Sequence, residues 1–361
     1  METGCSMKRY GNIYEKICDM DNLREAHRNA RKDKLFYAEV VMVDSDPDKY
    51  LSEIREMLIN HTYSVNLDDY TISTINDKGK QRELWKLPYF PHRIIQWAIM
   101  LQIEPIFNKV FTGFTCASLP NRGIKKAQEL VNTYLKDEPG TQYCFKMDVH
   151  HFYPSINHRI LKRLLRKKFK DPELLALLDI IIDSHPPKGV PIGSYLSQYL
   201  ANFYLSYFDH WLKEKLHLKY VVRYMDDLLI FHHSKQVLHW VARKIMEYLE
   251  KFLDLTLKKN WQVFPTSTRG ADFVGYRFFH GFTLLRKKTC KRFKKHMVAI
   301  REKWEAGKRI CYKEWCRINS YKGWLKWCDS FRLAEKYVNP VLAAADDYYF
   351  NVIKKRKAVT V

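Results

Sequence analysis

Apolar residues recur at helical spacing over residues 12–35, where Ile13, Ile17, Leu23, Ala26 and Ala30 share one stripe and charge fills the rest. Residues 47–60 predict a second helix. From Thr71 the pattern changes to β-branched residues, meets the turn signal Asn76-Asp-Lys-Gly79 and resumes over Leu84–Phe90, which predicts a hairpin. Helices are expected over 92–110 and 123–136. An apolar strand over Tyr143–Val149 precedes a helix at 157–170, and one long helix is expected over 195–217. A strand, a turn and a second strand follow at 220–231, then a helix over 235–254 and short strands near 261–264 and 272–285. Residues 289–357 read as helical. Strands gather in the middle with helices before, between and after, which is the pattern of an α+β chain with one central sheet and two flanking modules. The expected divisions are a helical extension over 1–70, a mixed region over 71–285 and a basic helical module over 286–361.

With 361 residues, 46% of them hydrophobic, the chain has enough apolar material for one large or two modest cores. Its formal net charge of +22 changes the picture, because such charge repels itself in a compact state. A polyanionic partner accounts for it through counterion release; a general basic bias for solubility is the plainer alternative. Eleven Lys or Arg residues fall between Arg286 and Arg309, against Glu302 and Glu305, and Trp304, Trp315, Tyr321, Trp324 and Trp327 follow among them. The lysines suit a duplex-binding face, and most of the tryptophans are expected in the core of a small helical bundle. The tail Lys354-Lys-Arg-Lys357 suits structured RNA or no ligand at all. Eight cysteines, at positions 5, 18, 116, 144, 290, 311, 316 and 328, form neither Cys-x-x-Cys nor a zinc-finger spacing. No apolar run approaches the ~20 residues of a membrane span and no leader pattern opens the chain, so a cytoplasmic protein without membrane contact is expected. Walker-type phosphate loops, His-Glu-x-x-His zinc sites and serine nucleophile elbows are absent from the sequence.

The most informative segment is Tyr220-Val-Val-Arg-Tyr-Met-Asp-Asp-Leu-Leu-Ile-Phe231. Apolar arms flank Asp226-Asp227 as in a hairpin whose tip carries two carboxylates. Adjacent acids at a tight turn in an apolar sheet are costly unless a cation neutralises them, although Asp is also common in ordinary turns. A second carboxylate sits in a matching context: Phe145-Lys-Met-Asp148 ends an apolar strand, and Val149-His-His-Phe-Tyr-Pro-Ser-Ile156 follows it. Two strands that each present a carboxylate at one edge can hold two Mg²⁺ ions for nucleotidyl transfer, since hard Mg²⁺ takes oxygen ligands together with waters and phosphates.

These segments resemble the reverse transcriptase family. Tyr224-Met-Asp-Asp227 is similar to the family's best-known tetrapeptide, and Lys146–Ile156 to the strand that supplies its other catalytic aspartate. The resemblance implies a right-hand polymerase, with fingers and palm over 71–285 and a thumb over 286–361, copying RNA into DNA. It implies Asp148, Asp226 and Asp227 as catalytic metal ligands, assisted by the Val149 carbonyl, for two Mg²⁺ ions with Mn²⁺ as a substitute. Arg82, Lys86 and Arg93 fall where the family grips the deoxynucleoside triphosphate. Lys258 and Lys259 fall where a lysine protonates pyrophosphate, and Tyr153 where an aromatic ring excludes the ribose hydroxyl. Phe111-Thr-Gly-Phe-Thr-Cys116 resembles a further fingers motif and Ala271-Asp-Phe-Val-Gly-Tyr276 the primer grip. Lys287, Lys288, Lys291, Arg292, Lys294 and Lys295 would contact template RNA and the RNA–cDNA duplex.

Within that family, Gly189-Val-Pro-Ile-Gly-Ser-Tyr-Leu-Ser-Gln-Tyr-Leu-Ala-Asn202 is the discriminating segment. Ile192, Gly193 and Gln198 stand where commoner relatives carry Gln before the glycine and often Pro after the later serine. The variant resembles reverse transcriptases of diversity-generating retroelements, a group II intron-like lineage, and implies error-prone copying opposite template adenine in mutagenic retrohoming. The Asn22-Leu-Arg-Glu-Ala-His-Arg-Asn-Ala30 opening fits that group, which also implies a small, basic, oligomeric accessory protein. An amide lost at position 192 removes hydrogen bonds that brace a nucleotide, although Ile192 as a packing residue is the plainer alternative. The rivals are a defence-system or retron-type reverse transcriptase and a non-catalytic nucleic-acid-binding protein; the latter gives no reason for three aspartates at strand edges.

Overall fold

A computed structural model of the chain describes residues 8–77, 80–185 and 187–354. The chain opens with helices α1 (Tyr14–Cys18), α2 (Met20–Ala30), α3 (Ala38–Ser45) and α4 (Pro47–Ile59), followed by the hairpin strands β1 (Thr71–Asp77) and β2 (Lys80–Lys86). Helices α5 (Ile94–Val110) and α6 (Ile124–Tyr134) lead to β3 (Tyr143–Asp148), then α7 (Phe152–Ser155), α8 (His158–Lys168), α9 (Pro172–Asp183), α10 (Tyr195–Tyr204) and α11 (Ser206–Glu214). Strands β4 (Tyr220–Tyr224) and β5 (Asp227–His232), helix α12 (Lys235–Leu253), strand β6 (Gln262–Pro265) and the turn of helix α13 (Thr266–Arg269) come next. Strands β7 (Ala271–Phe273), β8 (Tyr276–Phe279) and β9 (Phe282–Leu285) precede helices α14 (Lys287–Glu305), α15 (Tyr312–Leu325), α16 (Phe331–Tyr337) and α17 (Asn339–Tyr348). The strands form a two-stranded sheet β1-β2, a four-stranded sheet ordered β4-β5-β3-β6 and a three-stranded sheet β7-β8-β9. The class is α+β, as expected; the hairpin read over 71–90 forms its own two-stranded sheet, and the short strands near 272–285 form a third sheet that the sequence reading did not separate.

The chain divides into two compact units. One comprises Met1–Lys126, Met147–Leu228 and His239–Trp261, the other Ala127–Lys146, Leu229–Leu238 and Gln262–Val361. In the first, Ile94, Ile95, Ala98, Ile99 and Phe107 of α5 and Tyr199, Phe203 and Tyr204 of α10 are all fully buried, and Phe107 packs on Phe203 with ring centroids 4.8 Å apart. In the second, Phe293, Met297 and Ile300 of α14 are buried, as are Ile318 and Leu325 of α15 and Val341 and Ala345 of α17. None of the described helices is long and apolar enough to cross a membrane.

Several expectations change on contact with the structure. The helix expected over 12–35 breaks because Asp19 takes an extended conformation and its carboxylate accepts from the backbone N–H of Asp21 and Asn22, so the chain restarts as α2. The long helix expected over 195–217 breaks at Leu205. There the Ser206 hydroxyl donates to the Phe203 carbonyl at 2.7 Å, competing with the helical ladder. The second arm of the first hairpin begins at Lys80 rather than Leu84, in register Thr71↔Lys86, while Lys78 and Gly79 of its turn lie outside the described residues. The tryptophans contribute less core than expected: Trp304 and Trp327 are 41% and 40% exposed, Trp315 and Trp324 are half-buried, and Tyr321 with Phe293, Ile318 and Leu325 is buried between the helices. Most of the tail quoted above, from residue 355 onward, lies outside the described residues.

Asp171 ties the start of the chain to α9. It is 4% exposed, caps α9 by accepting from Leu174 N–H, and accepts from the N–H groups of Ile13 and Tyr14 at 2.6 and 3.0 Å. Burial pushes its pKa up, but the backbone donors together outweigh that and leave it below the ordinary aspartate value. A depressed pKa gives stability that is present above the unfolded value of about 4 and lost as pH falls through the folded value. Asp171→Ala is therefore expected to lower unfolding stability by about 2 kcal/mol at pH 7. In urea titrations the gap from wild type should hold down to about pH 4 and shrink below it; a gap unchanged at lower pH contradicts the assignment.

Candidate active site

Strand β3 turns Cys144, Phe145 and Met147 into the interior and ends on Asp148. Beyond it Val149 forms an isolated antiparallel bridge to Leu257. The hydrogen bonds of that bridge belong to the neighbours: Lys258 N–H donates to the Asp148 carbonyl at 2.9 Å, and His150 N–H to the Thr256 carbonyl at 2.8 Å. Val149 is thus the non-bonded member of its pair, and its own carbonyl points away from the 256–258 segment. His151 adopts a left-handed conformation, φ 45°, which turns the chain into α7.

The second carboxylate comes from the tight connection between β4 and β5. Met225 has φ 57°, a conformation that a residue with a side chain adopts only when its surroundings hold it. Asp226 follows, half-buried and within hydrogen-bonding reach of Asp148. Burial first, then that bond and the charge of Asp148, raise its pKa well above the usual carboxylate range, and Lys258 offsets only part of the effect. The Lys258 ammonium forms an ion pair directly with the Asp148 carboxylate. Asp227 is half-buried and opens β5.

Two carboxylates crowded in a partly buried setting, with one ammonium paired to Asp148, are under-neutralised. That donor set fits a divalent cation, which favours both ionised forms at once. The expected convergence of three aspartates is not seen: among the described residues no group of three or more His, Cys, Asp or Glu side chains surrounds one metal position. Asp148 and Asp226 meet, while Asp227 is not gathered with them.

The other expected residues separate into distinct neighbourhoods. The Tyr153 hydroxyl donates to the Met225 sulfur at 3.6 Å. Burial raises its pKa, Asp226 adds to the shift and Arg82 opposes it, which sets Tyr153 and Arg82 beside the carboxylates. Lys86, Arg93 and Gly193 instead line a pocket of about 790 Å³, together with Lys34, Trp85 and Trp97. The Nε of Arg93 is buried there and has no hydrogen-bond acceptor among the described residues. Gly193 has φ 119°, which only glycine adopts without strain, and Ser194 after it caps α10. Ile192 and Gln198 are half-buried and do not line that pocket. Lys258 contacts Asp148, whereas Lys259 is exposed. On α14, Lys287, Lys288, Lys291, Arg292 and Lys295 are exposed, and Lys294 is half-buried with its ammonium 5.6 Å from the Tyr337 ring centroid.

Sequence reasoning missed the charged network beneath the hairpin. Arg223 is 1% exposed and lies in β4 between apolar residues, paired with Asp209 of α11 and close to Thr115 and Asn202. The signal was available: a single arginine in Tyr220-Val-Val-Arg-Tyr224 requires a buried partner.

Sequence similarity to known proteins places the chain in a family. The family model described as reverse transcriptase (RNA-dependent DNA polymerase) matches residues 75–278, more than half of the chain. The chain is 28% identical to protein YkfC of Escherichia coli over 148 residues, covering 38% of this chain and 39% of that one. It is 25% identical to the group II intron-encoded protein LtrA of Lactococcus lactis over 186 residues, 46% of this chain and 31% of that one. It is also 22% identical to nuclear intron maturase 4 of Arabidopsis thaliana, over 57% and 26% of the two chains. The matches thus span between about a quarter and two-fifths of those relatives' length. Among solved structures, telomerase from Candida albicans aligns with TM-score 0.46 and 11% identity, over 63% of this chain and 48% of that one. By the match over 75–278, this chain belongs to the reverse transcriptase (RNA-dependent DNA polymerase) family.

Proposed function

We propose that the chain is an RNA-directed DNA polymerase that joins deoxynucleoside triphosphates to a primer end on an RNA template. The observation that carries this reading is the meeting of Asp148, at the end of β3, with Asp226, at the β4–β5 turn, in a partly buried setting that leaves their charge under-neutralised. When bound, Mg²⁺ would neutralise the two carboxylates and polarise the primer hydroxyl and the triphosphate, with the Val149 carbonyl and Asp227 as accessory oxygen donors. Mn²⁺ would substitute.

The remaining roles fall to this chain's own side chains. Lys258, paired with Asp148, would sit close to where pyrophosphate departs, with Lys259 as the exposed neighbour. Tyr153, held beside Met225 and Asp226, presents a ring where the sugar of the incoming nucleotide would sit. Arg82 is beside it and suits the triphosphate, while Lys86 and Arg93 serve the phosphates or template nucleotides that enter their pocket. Residues 71–285 would then be fingers and palm, and 286–361 a thumb whose exposed α14 lysines bind duplex phosphates.

A finer reading places the chain with diversity-generating retroelements in a cytoplasmic setting, error-prone opposite adenine and working with a small basic accessory protein. It rests on Ile192-Gly193 and Ser197-Gln198, where an aliphatic side chain replaces an amide and so removes polar bracing of a nucleotide.

Primer extension on RNA with Mg²⁺ tests the activity: wild type should extend, and Asp226→Asn should lose at least about a thousandfold in rate. In chelator the same variant should be more stable than wild type by about 1 kcal/mol, because one of two crowded charges is gone. Extension by Asp226→Asn at the wild-type rate contradicts the site. Tyr153→Ala should raise ribonucleotide incorporation tenfold or more, about the discrimination that one steric contact supplies; unchanged sugar selectivity removes that role. Ile192→Gln should lower misincorporation opposite adenine, read by sequencing the products, and an identical error spectrum counts against the finer reading.

A further inference from the structure

We infer that Arg223 is a positioning residue for the catalytic turn, acting through the Met225 carbonyl to aim Asp226 at Asp148. This inference rests on the polymerase reading above and deepens it. The guanidinium is 1% exposed and makes contacts on three sides. Its Nε and one terminal nitrogen donate to the two oxygens of Asp209, at 2.7 and 2.5 Å, which is the bidentate arrangement that a planar fork allows and an ammonium does not. The other terminal nitrogen donates to the Met225 carbonyl at 2.7 Å and to the Asn202 side-chain oxygen at 3.2 Å.

The Met225 bond connects the network to the chemistry. Met225 is the left-handed residue of the turn, and the residue after it is Asp226. A left-handed backbone conformation at a residue with a side chain persists only where its surroundings hold it. A charge-assisted bond to that residue's carbonyl is such a restraint. It is also worth more in this dry interior than on a surface.

The anchor itself is rigid. Asp209 is 0% exposed and accepts a further bond from the Thr115 hydroxyl at 2.8 Å; that hydroxyl lies 3.0 Å from the Thr112 hydroxyl. Arg223 N–H donates to the Phe114 carbonyl at 3.0 Å and Cys116 N–H to the Arg223 carbonyl at 2.9 Å, so residues 114–116 run along β4 as an added parallel partner. Asn202 in turn donates to the Ala117 carbonyl at 2.9 Å. A charge pair buried so completely is a poor device for stability alone, because well-packed apolar residues often serve as well. Its geometry makes sense as a fixed post from which one free N–H holds the turn.

The test compares Arg223→Lys with wild type in primer extension, with active sites counted by burst amplitude. Lysine keeps the charge opposite Asp209 but cannot hold both its carboxylate oxygens and the Met225 carbonyl. The expected result is a rate per active site at least tenfold lower, a KM for the nucleotide changed less than threefold, and a several-fold higher Mg²⁺ concentration for half-maximal activity. A wild-type rate per active site, or a loss explained wholly by fewer active sites, overturns the inference. Thr115→Val serves if Arg223→Lys fails to fold, since it loosens Asp209 while keeping side-chain shape. A few-fold slower rate at unchanged burst amplitude supports the inference, and a wild-type rate overturns it. If wild type itself does not extend primers, the polymerase reading fails instead, so the two failures are distinct.

Discussion

Two acidic side chains brought together at strand ends, in a setting only partly open to water, repel each other, and here the cost appears as a raised pKa of Asp226. The chain accepts that unfavourable arrangement at Asp148 and Asp226, and much of the local structure makes sense as a response to it. Lys258 supplies a partial counter-charge. The pairing of Val149 with Leu257, in which Val149 is the non-bonded member, leaves its carbonyl directed away from the 256–258 segment. The turn that presents Asp226 runs through a left-handed Met225, a conformation the surrounding residues must impose. Folding stability alone explains none of these features well, because each has a cheaper apolar or glycine alternative. The proposed cation and phosphate site explains them together.

The surroundings follow a similar division of labour. Tyr153 and Arg82 belong with the carboxylates, whereas Lys86, Arg93 and Gly193 belong with a separate pocket lined by aromatic and basic side chains. A basic hairpin that seemed uniform in sequence therefore serves two neighbourhoods. Arg82 and Lys86 share one face of β2, but four residues at about 3.3 Å each set them about 13 Å apart along the strand, so they need not meet one ligand. The exposed lysines of α14 form a third basic region, built on a helix whose buried face is Phe293, Met297 and Ile300. Charge that is diffuse along the sequence is thus sorted by secondary structure into separate surfaces.

Legibility in the sequence followed the strength of local signals. The strand ending at Asp148, the hairpin around Asp226, and the helices of residues 94–110 and 235–253 were readable because apolar periodicity and turn chemistry agreed there. Helices α3 and α9 escaped notice. Val40-Val-Met-Val43 is a β-branched run without a polar face, and Pro172–Asp183 is apolar on most sides. The split at Leu205 depends on a serine hydroxyl that competes with the backbone, which periodicity does not report. Most tryptophans of the C-terminal helices were expected inside, yet Trp304 and Trp327 are exposed, Trp315 and Trp324 are half-buried, and Phe, Ile and Leu at the stripe positions fill most of that space. Arg223 was in plain view as one charge in an apolar strand, but its partner Asp209 lies on another helix, and only the fold joins them.

The claim on which the account stands is that Asp148 and Asp226 share a divalent cation during nucleotide addition. The most direct measurement is a crystal structure of the protein with an RNA template, a DNA primer, a non-hydrolysable nucleotide and Mn²⁺, using anomalous scattering to locate the metal. The account predicts an anomalous peak bonded to both carboxylates and to the nucleotide's phosphates. Manganese bound elsewhere, or Asp148 and Asp226 drawn apart with no metal between them, would contradict it.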